Sequence, residues 1–116
     1  DRLEPFGAVR FMDWMNANGN TQTSWSQRPR VEDWRYTGNG GVPVEHMVSL
    51  SNTVGSDAWF TMPVKADDDY VRNFATYVRD HLEPGRKVYV EYGNEVWGFD
   101  VAQQHLRAKA QADYGW

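Results

Sequence analysis

The chain has 116 residues, a formal net charge of −4, no cysteine and an aromatic content of 15%. That length holds one domain, and without a Lys/Arg block there is no electrostatic footprint for nucleic acid. Lacking cysteine, the chain has neither disulfides nor thiolate metal sites, and no apolar run approaches the ~20 residues of a membrane span.

In chain order, the first element is a strand over residues 7–13, with Val9, Phe11 and Asp13 alternating against Arg10, Met12 and Trp14. Residues 16–41 are dominated by Asn, Gly, Thr, Ser, Gln and Arg and carry Trp25, Trp34, Tyr36 and the Gly38-Asn-Gly-Gly41 cluster. This reads as one long loop. Loops of more than ~15 residues without structure of their own are uncommon in compact domains and are often lids or binding loops.

Pro43 suits the first turn of a helix over 43–54, whose apolar stripe of Val44, Met47, Val48 and Leu50 through Val54 stops at Gly55. A strand over 58–62 follows, then Pro63. The acidic run Asp67-Asp68-Asp69 is expected to cap the next helix rather than to bind metal, because free amide groups and the dipole at a helix start both favour carboxylates. That helix, over 68–82, shows Val71, Phe74, Ala75, Val78 and Leu82 at helical spacing and closes on Pro84-Gly85. A strand over 87–92 and a last helix over 100–113, rich in Ala, Gln and Lys, complete the chain before Tyr114-Gly115-Trp116. Strands alternating with helices predict an α/β fold of three parallel βα units with a long loop after the first strand.

The third strand carries the chemistry. Val88, Tyr89, Val90 and Tyr92 are β-branched or aromatic, as in a strand covered on both faces, and Glu91 interrupts them with a charge. If strand alternation persists, Tyr89, Glu91, Gly93 and Glu95 share one face, and two carboxylates line a wall beside the Asn94 amide. An amide suits a sugar hydroxyl and the Trp97 indole suits a sugar face, so the set reads as carbohydrate chemistry. The bland alternative is that Glu91 pairs with Arg10 in a structural network while Glu95 merely opens the next loop.

Other chemistries find no residues. His46, His81 and His105 fall on separate elements without metal-site spacing, there is no Gly-x-Ser-x-Gly elbow, and the Gly38–Gly41 cluster lacks the Lys and Ser/Thr of a phosphate loop. No metal and no cofactor are expected.

Tyr89, Glu91, Asn94 and Glu95 resemble the fourth-strand motif of clan A glycoside hydrolases, the (β/α)8 barrels that include many cellulases. Ala8-Val-Arg-Phe-Met-Asp-Trp14 is similar to the second strand of that clan. The resemblance implies that Glu95 is the general acid/base, that Asn94 holds the sugar 2-hydroxyl, and that Arg10 sits near the nucleophile. An acidic residue at the position of Glu91 also recurs in that clan, and Trp97 and Trp14 are read as further substrate-binding residues; the resemblance implies β-linked polysaccharide such as cellulose as the substrate and a bacterial, secreted setting.

In retaining hydrolysis, two carboxyl groups ~5–5.5 Å apart act as acid and as nucleophile. The clan's nucleophile comes from a seventh strand with no counterpart here, so the second carboxylate is expected from Asp13, Glu91 or a partner protomer. A whole barrel needs ~250 residues, and 116 residues match only the second to fourth βα units. The chain is therefore expected to be part of a barrel, or a protomer that completes its sheet as a homo-oligomer. The other class of function is a non-catalytic carbohydrate-binding or vestigial module that uses Trp14, Trp25, Trp34 and Trp97.

Overall fold

The structure, a computed structural model, describes residues 2–95 and 97–115; Asp1, Val96 and Trp116 lie outside the described residues. Three strands, β1 (Ala8–Arg10), β2 (Asp57–Met62) and β3 (Val88–Tyr92), form one parallel sheet in the order β1-β2-β3. The helices are α1 (Val44–Val54), α2 (Asp68–His81) and α3 (Val101–Tyr114), one after each strand. The loop between β1 and α1 contains a single 3-10 turn, Trp25–Gln27. The chain is thus a mixed α/β fold with an open sheet. Among the described residues no helix is long and apolar enough to cross a membrane.

Alternation along the strands sorts the two faces of the sheet. Phe11, Ala58, Phe60 and Met62 turn to one face and are buried with Met47 and Val48 of α1 and Tyr70, Phe74 and Val78 of α2. Phe60 stacks on Phe11 at 5.5 Å and meets Phe74 edge-on at 5.0 Å. The opposite face, in register Arg10↔Trp59↔Tyr89 and Thr61↔Glu91, is polar and aromatic.

The helix boundaries follow from local chemistry. In α1 the apolar positions Val44, Met47, Val48 and Val54 recur on one buried side, and the helix stops where Gly55 takes φ 70°, its amide closing on Ser51 O. Pro43 sits one place earlier than the first turn, as the N-cap. Asp67 caps α2 by accepting the Tyr70 amide at 2.7 Å, with Asp68 and Asp69 in the first turn. The long loop is tied down at both ends: the Asp67 amide donates to Thr23 O at 2.8 Å, the Val42 amide donates to Trp14 O at 2.7 Å, and Trp25 packs edge-on against Tyr70 at 5.5 Å.

Three expectations about the strands change. The first strand ends at Arg10 rather than near residue 13. Its last ladder bond is Phe11 N–H to Trp59 O at 2.9 Å, after which the Thr61 amide meets the Met15 sulfur at 3.3 Å and the chain coils back through Met15 N–H to Phe11 O. Met12, Asp13 and Trp14 therefore lie in turns. Coverage of β3 on both faces is likewise not seen: Val88 and Val90 are 43% and 61% exposed, because α3 is held at the end of the sheet and leaves the flank of β3 open. Finally, alternation does not carry Glu91 and Glu95 onto one strand face. β3 ends at Tyr92, and Gly93 and Glu95 both adopt left-handed backbone, with φ 71° and 43°.

Candidate active site

The carboxyl ends of the three strands converge on one cleft of about 490 Å³, lined by Arg10, Trp59, Glu91, Asn94, Glu95 and Trp97 among others. Ligands of open parallel sheets sit at this end of the strands. At the centre, one Arg10 nitrogen donates to Glu91 Oε1 at 2.5 Å and to Asn94 Oδ1 at 2.7 Å. The Thr61 hydroxyl donates to the same Glu91 oxygen at 2.7 Å. Adjacent strands in parallel register place Thr61 and Glu91 side by side, so the sheet itself builds this triad.

Asn94 is only 3% exposed and is held on every side. Its Oδ1 accepts from Arg10, its Nδ2 donates to Asn18 Oδ1 at 3.0 Å, and its carbonyl accepts from Gln103 Nε2 at 2.8 Å. Gln103 also donates to Asn18 Oδ1 at 3.1 Å, and Ala102 N–H reaches Asn18 O at 3.4 Å. The first turn of α3 thereby clamps the turn that bears Asn94 and Glu95. An amide carries two N–H donors, of which the bond to Asn18 uses one.

Glu95 stands exposed at the rim of the cleft, and its carboxylate has no hydrogen-bond or ion-pair partner among the described residues. Trp97, two residues on, is itself 74% exposed and gives Glu95 no shelter. The turn is closed by Gly98 N–H to Glu95 O at 2.7 Å, and Arg107 of α3 bonds the Gly98 carbonyl.

Arg10, Glu91, Asn94, Glu95 and Trp97 are thus brought together as the sequence suggests, with the Arg10–Glu91 pair of the bland alternative built into the same cleft. Trp14 is not brought there: its ring lies 5.7 Å from Phe11, in the turn after β1. Trp25 packs on α2, and Trp34 is 83% exposed beneath the Arg35 guanidinium at 3.8 Å. Asp13 does not line the cleft. Sequence reasoning missed Trp59, Asn18 and Gln103. Trp59 was readable, since it shares the alternating face of Arg10 and Glu91; Asn18 and Gln103 are assembled only by the tertiary fold.

The chain matches no model of a known protein family, no curated protein and no solved structure. Among the described residues, no group of three or more His, Cys, Asp or Glu is placed to hold a metal ion.

Proposed function

We propose that the chain is a portion of a (β/α)8-barrel glycoside hydrolase, corresponding to the second to fourth βα units, that acts on β-linked polysaccharide of the cellulose or β-glucan type. The observation that carries this reading is the convergence of Glu91 and Asn94 on one Arg10 nitrogen, with Glu95 and Trp97 on the rim of the same cleft. Strand order, parallel pairing and a helix after every strand support the barrel assignment.

In this reading Glu95 gives its proton to the departing glycosidic oxygen as the bond to the anomeric carbon breaks, and later takes a proton from the attacking water. Asn94 binds the neighbouring hydroxyl, Arg10 and Glu91 hold the polar side of the sugar, and Trp97 covers its apolar face. A bacterial, secreted enzyme is the setting the resemblance implies.

The attacking carboxylate comes from a second protomer or another barrel segment. Glu91 is committed to Arg10 and Thr61, and among the described residues no carboxylate other than Glu91 and Glu95 lines the cleft. That shortage favours a second reading, in which the chain binds glycan without cleaving it and associates with other copies.

Reducing-sugar release from soluble and insoluble β-glucans, measured beside Glu95→Gln, separates the two. Release that is lost in the variant supports hydrolysis by Glu95. Undiminished release in the variant rejects Glu95 as the acid, and binding without release identifies a glycan-binding module.

A further inference from the structure

The Gly38-Asn39-Gly40-Gly41 turn does not line the cleft, yet it carries a chemistry of its own. An asparagine followed by glycine closes readily into a succinimide, because no side chain shields the following nitrogen. The chain holds two such pairs, Asn18-Gly19 and Asn39-Gly40, and the fold treats them oppositely. The Gly19 amide is engaged, donating to Asn16 O at 2.9 Å, and Asn18 is half-buried with its Oδ1 held by the Asn94 and Gln103 amides. Among the described residues the Gly40 amide has no hydrogen-bond partner, and Asn39 is exposed beside a polar hollow of about 260 Å³. The glycine cannot be exchanged there, since a Cβ at residue 40 would run into the Gln22 amide and lie 2.8 Å from the Pro29 ring. Packing thus keeps the reactive pair in place.

The Asn39 side-chain amide is also polarised from both ends. Its Oδ1 accepts from the Thr21 amide at 2.7 Å, where negative charge develops once Cγ is attacked, and its Nδ2 donates to the Thr21 hydroxyl, beside the group that has to leave. We propose that Asn39 is a self-modification site at which the chain deamidates itself. The Gly40 nitrogen bonds to Asn39 Cγ as its proton passes to water. The Cγ–Nδ2 bond then breaks, and the Thr21 hydroxyl gives a proton to the departing ammonia and regains one from solvent. Water opens the succinimide at either carbonyl, leaving aspartate or isoaspartate. Both products lose the Nδ2–H that bonds Thr21, and isoaspartate turns the Asn39 carbonyl that accepts from Asn16 Nδ2 at 2.9 Å into a side carboxylate. The closure of the 16–41 loop is thereby loosened.

The test is to age the whole folded chain at mildly alkaline pH beside the same chain unfolded in urea. Peptide mass mapping follows conversion of amide to acid at each asparagine, and isoaspartyl methyltransferase labelling follows isoaspartate. In urea residues 18 and 39 are expected to convert at similar rates, whereas in the folded chain residue 39 converts about tenfold faster than residue 18. Thr21→Val is expected to slow the folded reaction several-fold, and Thr21→Ser, which keeps the hydroxyl, to leave it near the wild-type rate. Conversion of residue 39 no faster than that of residue 18 in the folded chain overturns the site. A Thr21→Val chain that converts as fast as the wild type overturns the role given to the hydroxyl. The first comparison uses wild-type protein alone, so it needs no variant to fold, and neither comparison depends on what the cleft binds.

Discussion

At the scale of single residues, the cleft joins groups that are firmly held to one that is not. Arg10 holds both Glu91 and Asn94, while Glu95 has no side-chain partner among the described residues and adopts φ 43°, a backbone state that costs a non-glycine residue of order 1–3 kcal/mol and concentrates at functional sites. The Gly98 N–H to Glu95 O bond and the contacts of Gln103 and Arg107 hold the turn in that state. Asn94 and Glu95 were legible from their place at the end of an apolar strand. The conformation of Glu95 was not, because it depends on residues in α3 that are distant in sequence. Tyr70 gives a residue-scale prediction. Burial pushes its hydroxyl up to about 12 from the ordinary 10.0, with Arg28 pulling weakly the other way. A raised folded-state value favours the protonated form, so its contribution is complete below pH ~10 and is lost as pH rises through ~12, about 3 kcal/mol in all. Urea melts across that window are expected to show a steeper loss for the wild type than for Tyr70→Phe; parallel curves would refute this.

Among the elements, the loop from residue 16 to 41 has the clearest physical logic. Asn16 Nδ2 donates to Asn39 O at 2.9 Å, the Thr21 amide donates to Asn39 Oδ1 at 2.7 Å, and the Asn39 amide also bonds the Thr21 hydroxyl. These contacts bring the two ends of the loop together and let a polar segment lie across α1 and α2. Gly41 closes the arrangement with φ 72°, where an added Cβ would fall 1.9 Å from Trp14 O. Gly41→Ala is therefore expected to cost about 3 kcal/mol in chemical denaturation; a change within about 0.5 kcal/mol would show that the closure is not needed. Helix positions were readable from periodicity and caps, as Asp67 and Gly55 show. The length of β1 was not, since the strand ends where the Met15 sulfur takes the place of a ladder partner for the Thr61 amide, and such a contact leaves no trace in alternation.

For the whole molecule, the balance of covered and uncovered surface decides its behaviour. The radius of gyration is 14.7 Å, above the ~13 Å of a compact chain of this length. A groove of about 370 Å³ runs between α2 and β3, floored by Phe60 and Met62 and walled by Val71, Val78, Val88 and Val90. Val71 and Ala75, which share the helical spacing of the apolar residues of α2, face this groove rather than the core. Apolar surface of this kind beside an unpaired strand edge favours association. Light scattering is expected to show copies associating at high concentration and Val90→Lys shifting them toward monomer; a monomeric wild type at the same concentration would count against it. The sequence by itself determined the strand-helix alternation, the caps and the cluster of Asn94, Glu95 and Trp97, because period, turn chemistry and residue type act over a few neighbouring positions. Only the tertiary structure decided that Glu91 is committed to Arg10 and Thr61, that Trp59 lines the cleft, that α3 clamps Asn94 and that β3 is left uncovered, because each depends on which strand lies beside which and on where a helix comes to rest.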